Sequence, residues 1–187
     1  DTLLMPMVET LEAGGANVHT IYLSEQRIAP CIGCYTCQDV FGDYGCVQHD
    51  DMYAVAEAVQ ECDCLLLATP IYTWYCTAPM KAVLDRHYGL NKFYGARRGP
   101  SLWAGKLCGI VATCGYEIPY GTVPFETGLK SLCEHSNLHY VGMLARRHLD
   151  DRASFITEDA IAAPVFYIHL RGHETRHDTV CRRLDEN

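Results

Sequence analysis

"CDCLLLATPIYTWYCTAPMKAVLDRHY" spans residues 62–88 and decides the fold. Its apolar run "CLLLA" (64–68) shows no alternation, which is the signature of a strand covered on both faces, as in a parallel sheet. A parallel strand needs a crossover, usually helical, before the chain can pair again. The second half supplies one: Pro79 suits a first helical turn, and Met80, Val83 and Leu84 share a face. Between strand and helix lies the loop "TPIYTWYCTA" (69–78).

The same pattern recurs on either side. Downstream, "LCGIVA" (107–112) reads as a strand ending in "TCGYEIPYG" (113–121). A helix carrying Phe125, Leu129 and Leu132 follows, with Gly128 as an unfavourable interior residue, and "LHYVGML" (138–144) is the next strand. Upstream, Asp50 or Asp51 can cap a helix whose Met52, Val55, Ala56 and Val59 lie on one side. "VHTIYL" (18–23) reads as a strand, and Leu4, Val8 and Leu11 as a helix stopping at Gly14-Gly15. Strands alternating with helices predict an α/β fold with an open, doubly wound parallel sheet. That makes four strands where the small version of the fold has five. We expect the first strand and its loop to precede Asp1; "VFYIHL" (165–170) is the alternative source of a strand.

The chain has 187 residues, 49% of them hydrophobic, enough for one domain with a sizeable core. A net charge of -8 and a pI near 5.5 argue against nucleic acid or an anionic membrane as partner. No apolar run approaches the ~20 residues of a membrane span, and the first residues lack a signal-peptide pattern. The expected setting is the cytoplasm, where the eleven cysteines stay reduced and several act as small core hydrophobes.

Ligands of doubly wound sheets bind beyond the carboxyl ends of the strands. Two loops there, 69–78 and 113–121, combine backbone donors with Tyr72, Trp74, Tyr75, Tyr116 and Tyr120. Each alone reads as an ordinary turn. Together they suit a planar heteroaromatic cofactor, which needs apolar cover on its faces and backbone groups along its polar edge. Neither carries a G-x-G-x-x-G nucleotide fingerprint.

"CIGCYTC", "GCVQHDDM" and the opening stretch together resemble the flavodoxin-like NAD(P)H-dependent FMN reductases and iron-sulfur flavoproteins, over roughly residues 1–145. "LWAGKLCGIVATCG" is similar to a segment of flavodoxin-like quinone oxidoreductases. The resemblance implies a flavodoxin-like fold that binds FMN, usually as a homo-oligomer. Thr69, Pro70, Ile71, Tyr72 and Trp74 would line the isoalloxazine ring, with Thr113, Cys114, Gly115 and Tyr116 approaching from the next loop. Asp1 and Thr2 would form the far edge of the phosphate loop. The implied activity is hydride transfer from NAD(P)H to the flavin and delivery of electrons to a quinone, nitro or azo compound, or to a redox protein. The flavin carries the chemistry, so no catalytic side chain is nominated. Cys76 reads as a packing thiol unless its pKa is lowered.

Cys31, Cys34 and Cys37 follow C-x2-C-x2-C, and Cys46 comes eight residues later. Three readings stay open: ligands of a [4Fe-4S] cluster, a zinc site, or free thiols beside the cofactor. With a cluster, the protein becomes an electron carrier. A noncatalytic metal-binding or regulatory module that has lost its flavin is the rival from another class. His169, His173 and His177 share helical spacing in a charged tail, where ordinary surface histidines are the simpler reading. Residues 86–100 read as a mobile loop or crossover turn.

Overall fold

The computed structural model describes residues 3–92 and 100–148. Asp1 and Thr2, "VFYIHL" and the histidines of the tail lie outside these residues. Among the described residues, four α-helices and three strands follow in the order α1 (Leu4–Ala13), α2 (Met52–Glu61), β1 (Cys64–Pro70), α3 (Ala78–Asp85), β2 (Leu107–Cys114), α4 (Ile118–Ser136) and β3 (His139–Arg147). The strands form one parallel sheet in the order β1-β2-β3.

Side chains alternate across that sheet with period two. Leu66, Ala68, Val111 and Leu144 face α1, packing on Leu3, Leu4, Met7 and Leu11. Leu67, Cys108, Ile110, Ala112 and Ala145 join the larger core with Val55, Ala56 and Val59 of α2, Met80 of α3, and Phe125, Leu129 and Cys133 of α4. Helices therefore cover both faces, which is why the strands read as continuous apolar runs. The architecture is the flavodoxin-like α/β sandwich.

Two expectations are corrected. "VHTIYL" forms no strand: the chain is irregular until a 3-10 turn at Leu23–Glu25. An extended segment forms a ladder only beside a partner, and none is paired with it among the described residues. Ile21 and Leu23 still pack against the large core. Nor is the start of 86–100 an ordinary surface loop. Arg86, Leu90, Asn91 and Lys92 are buried, and Asn91 joins Trp103 Nε1 and Ser136 Oγ through 2.8 Å hydrogen bonds. Residues 93–99 lie outside the described part.

Helix α4 starts at Ile118, inside the segment read as a loop, with Pro119 in its first turn and Pro124 in its interior. Tyr120 consequently stands on the first turn of a helix. Gly128 has a packing reason: a Cβ there would lie 2.8 Å from the Tyr75 hydroxyl. Tyr75 packs edge-on against Phe125, with ring centroids 5.2 Å apart. We predict that Gly128→Ala, which should gain about 1 kcal/mol of helix propensity, instead lowers stability by about 1 kcal/mol because the packed Tyr75 ring must shift. The double variant with Tyr75→Phe should recover the loss in urea denaturation.

Candidate functional site

The loops after β1 and β2 meet at the carboxyl edge of the sheet, where Ile71 N–H donates to Thr113 O at 2.7 Å. Residues 72–75 form a two-residue hairpin, with Tyr72 and Tyr75 exchanging backbone hydrogen bonds of 2.9 and 3.1 Å. Its central residues, Thr73 and Trp74, have φ of 51° and 61°. Such turns favour Asn and Gly. A β-branched residue in the left-handed region is a genuine outlier, and residues held this way cost about 1–3 kcal/mol each and concentrate at functional sites.

The strained turn sets Trp74 parallel to Tyr116, with centroids 5.2 Å apart and an interplanar angle of 7°. Tyr120 meets both rings edge-on. Tyr72, Tyr116 and Tyr120 are exposed large aromatics. The result is a flat aromatic wall at the sheet edge. The backbone N–H groups of Thr73 and Trp74 donate to no acceptor among the described residues.

The other residues expected at this site divide by role. Thr69 is buried, and its hydroxyl staples the loop by accepting Thr77 N–H at 3.2 Å and donating to Pro70 O at 2.9 Å. Ile71 is buried beneath the hairpin, Pro70 is exposed, and Thr113 and Gly115 offer backbone at the edge. Cys114 points inward, its Sγ 3.3 Å from Tyr116 O, and burial pushes its thiol pKa up. The Cys76 thiol is also buried and pushed up to about 11, so it stays protonated at neutral pH and packs.

Cys31, Cys34, Cys37 and Cys46 line one cleft of about 60 Å³ together with Arg86, Tyr88 and Gly89. The eight-residue interval before Cys46 folds back through a 3-10 turn at Thr36–Asp39. At Gly45 φ is 66° and a Cβ would lie 2.5 Å from that of Val40, so only glycine fits just before Cys46. Cys34 is exposed, and hydrogen bonds from the Thr36 backbone and hydroxyl hold its thiol pKa below the usual value. Burial pushes Cys37 up, and the nearby Cys46 and Cys34 push it the same way. Among the described residues, no group of three or more His, Cys, Asp or Glu is arranged to hold a metal ion. A zinc ion would need its thiolates converging on one point at about 2.3 Å. A cubane takes one thiolate per iron, and four cysteine thiols lining one cleft are the donor chemistry it needs.

The groups that build this cleft escaped the sequence reading. Asp50 Oδ2 accepts Ala29 N–H at 2.9 Å, its Oδ1 accepts Met52 N–H at 3.2 Å at the start of α2, and both oxygens bond Arg86. Lys92 Nζ donates to the carbonyls of Gly89, Cys37 and Tyr44 at 2.6, 3.0 and 3.3 Å. Gln38 Nε2 donates to Tyr88 O and Asn91 O. The Asp50 capping role was visible as a possibility; no sequence signal pairs residue 50 with residue 86. Short α3, about 12 Å long at 1.5 Å per residue, connects the aromatic loop to Arg86.

With this geometry in place, comparison with known proteins identifies the class. The model of the NADPH-dependent FMN reductase family matches residues 1–127, and the chain belongs to that family. It is 32% identical over 155 residues to an iron-sulfur flavoprotein of Archaeoglobus fulgidus, covering 73% of this chain and 69% of that protein. A second iron-sulfur flavoprotein, from Methanosarcina thermophila, is 33% identical over 85 residues, covering 46% of this chain and 43% of the relative. Among solved structures, RosB with a bound 8-demethyl-8-formylriboflavin-5'-phosphate intermediate is similar at a TM-score of 0.64 and 14% identity, covering 100% of this chain and 84% of that one. A candidate quinone reductase from Klebsiella pneumoniae is similar at 0.61 and 18%, covering 95% and 79%. At such identities the structural likeness shows the fold alone.

Two outcomes are expected. Thr73→Asn, which relieves left-handed strain while keeping the turn, should stabilise the protein by about 1 kcal/mol in denaturant titrations. Burial alone would raise the Asp50 pKa, but its hydrogen bonds from Ala29, Arg86 and Met52 outweigh that and lower it. The stability this carboxylate contributes is therefore present above the ordinary value near ~3.9 and is lost as pH falls through the lowered folded value. Asp50→Asn should lower stability at neutral pH and flatten the acid limb of the stability curve.

Proposed function

We propose that the protein is an FMN-dependent oxidoreductase. It takes electrons from NAD(P)H and passes them to a small acceptor of the quinone, nitro or azo type or to a redox protein. The observation that carries this reading is the Trp74-Tyr116 stack, held by a strained hairpin at the carboxyl edge of two adjacent parallel strands. The residues fit a flavin. The aromatic wall offers apolar cover to a planar ring, and the Thr73 and Trp74 amides offer donors to its polar edge. Family membership supports the same cofactor.

When bound, the flavin supplies hydride acceptance and both one- and two-electron transfer. This chain's own residues do the rest. Trp74 and Tyr116 would cover the ring, Ile71 packs beneath the hairpin that carries them, Thr69 fixes the loop, and the backbone at 69–74 and 113–115 would orient the polar edge. No protein nucleophile or general base is assigned. No helix among the described residues is long and apolar enough to cross a membrane. The ten cysteines of the described residues are free thiols, which supports the cytoplasm as the setting. Exposed Ile32, Tyr35 and Phe41 on the cysteine loop support a homo-oligomer.

A second reading has its own observation. Cys31, Cys34, Cys37 and Cys46 line a single cleft, which supports a [4Fe-4S] cluster there. The similarity to iron-sulfur flavoproteins favours the same reading. Both centres together would let the protein exchange electrons between one- and two-electron carriers.

Titration of full-length protein with FMN, followed by flavin fluorescence, tests the first reading. Trp74→Ala should weaken binding about fivefold, the equivalent of about 1 kcal/mol of aromatic contact. Failure of the wild-type protein to bind FMN overturns the reading. For the second, anaerobic reconstitution should load about four irons and four sulfides per chain. Cys34→Ala should lower the iron content and keep FMN binding; a wild-type protein that takes up no iron contradicts it.

A further inference from the structure

The cysteine cleft has a buried cation aimed at one of its sulfurs. Arg86 is 2% exposed; both terminal guanidinium nitrogens find acceptors, while the buried Nε has none among the described residues. Nη1 donates to both Asp50 carboxylate oxygens, at 2.6 and 2.5 Å, and to Ala29 O at 3.3 Å. Nη2 donates to Gln48 O at 2.9 Å and to Cys46 Sγ at 3.3 Å. The chain thus spends a buried arginine fork on clamping residues 46–50 and on solvating a single thiol. Lys92, also 2% exposed, has the backbone carbonyls of Gly89, Cys37 and Tyr44 as its described acceptors. The Asp50 carboxylate balances Arg86, and the Lys92 ammonium favours the anionic form of the Cys37 sulfur.

We propose that Arg86 is a positioning residue that sets the redox potential of an iron-sulfur centre held by Cys46 and its three partners. This rests on the cluster reading above. Hydrogen bonds to ligand sulfurs and local net charge are among the levers that set such potentials. One-electron reduction adds one negative charge, spread over the inorganic core and its thiolates. An N–H donor on the Cys46 sulfur stabilises the more negative state and moves the potential upward. The electron comes from the reduced flavin of the proposed activity. The guanidinium neither gains nor loses a proton, because arginine stays protonated throughout the accessible pH range.

The test uses full-length protein reconstituted anaerobically with iron and sulfide. Wild type labelled with 15N-arginine is reduced with dithionite and examined by pulsed electron paramagnetic resonance. Midpoint potentials of wild type, Arg86→Lys and Arg86→Gln are measured by mediated titration. We expect an arginine nitrogen coupling in the wild type that both variants lose. We also expect the Arg86→Gln potential to fall by at least 59 mV, a tenfold change in a one-electron equilibrium, at full iron content. Arg86→Lys, which keeps the charge but not the fork, should fall by less. Absence of arginine coupling in the wild type overturns the proposal without relying on any variant. An unchanged potential in an iron-replete variant overturns it equally and leaves the cluster reading standing. A wild type that binds neither iron nor sulfide removes the cluster reading, and this inference with it.

Discussion

The ion pair between Asp50 and Arg86 is the constraint around which the cysteine half of the molecule is built. Residues 26–50 form a long irregular segment with little regular hydrogen bonding, and its backbone groups need partners elsewhere. Asp50 ties the segment to α2 and to Ala29, and Arg86 ties it to the end of α3. The pair is nearly dry on the arginine side, with side chains 1% and 18% exposed. Removing either partner leaves an uncompensated charge, which in buried pairs costs about 3–5 kcal/mol. A buried ion pair is weak evidence for net stability, but here it specifies a shape. It ties Ala29 and residues 46–48 to the residue that follows α3.

The other half depends on strain rather than charge. The hairpin at residues 72–75 keeps Thr73 and Trp74 in a conformation both disfavour, and the gain is a tryptophan laid flat at the sheet edge. A strained loop persists only when its surroundings over-determine it. The Thr69 staple, the Ile71 bond to Thr113 and the fit of Tyr75 over Gly128 provide that support. These contacts anchor the loop to β1, β2 and α4, so the candidate flavin site is fixed by the most regular part of the fold.

Most of the architecture was legible because it rests on local signals. Continuous apolar runs gave β1, β2 and β3, and Pro79 and the 3.6-residue periodicity gave the helices between them. "VHTIYL" misled because its composition is that of a strand, whereas pairing depends on a neighbour that local sequence does not display. The aromatic residues of the site were legible from their position after apolar strands. Their geometry was not: nothing in "YTWY" announces two left-handed residues, since neither Thr nor Trp is a usual occupant. Arg86 and Lys92 were read as part of an exposed loop because charged residues are normally solvated. Their burial follows from contacts 36 to 55 residues away in sequence, beyond the reach of any spacing rule.

We propose that one chain holds a flavin at its aromatic edge and, on the second reading, an iron-sulfur centre in its cysteine cleft, with electrons able to pass between them. The most direct test is anaerobic stopped-flow reduction of the fully loaded protein by NADPH, recorded across the visible spectrum with freeze-quenched paramagnetic resonance on the same mixture. The account predicts bleaching of the flavin bands followed by a paramagnetic signal from the reduced cluster. A loaded protein whose flavin bleaches while the cluster stays oxidised would contradict the coupling, and one whose flavin does not respond to NADPH would contradict the oxidoreductase itself.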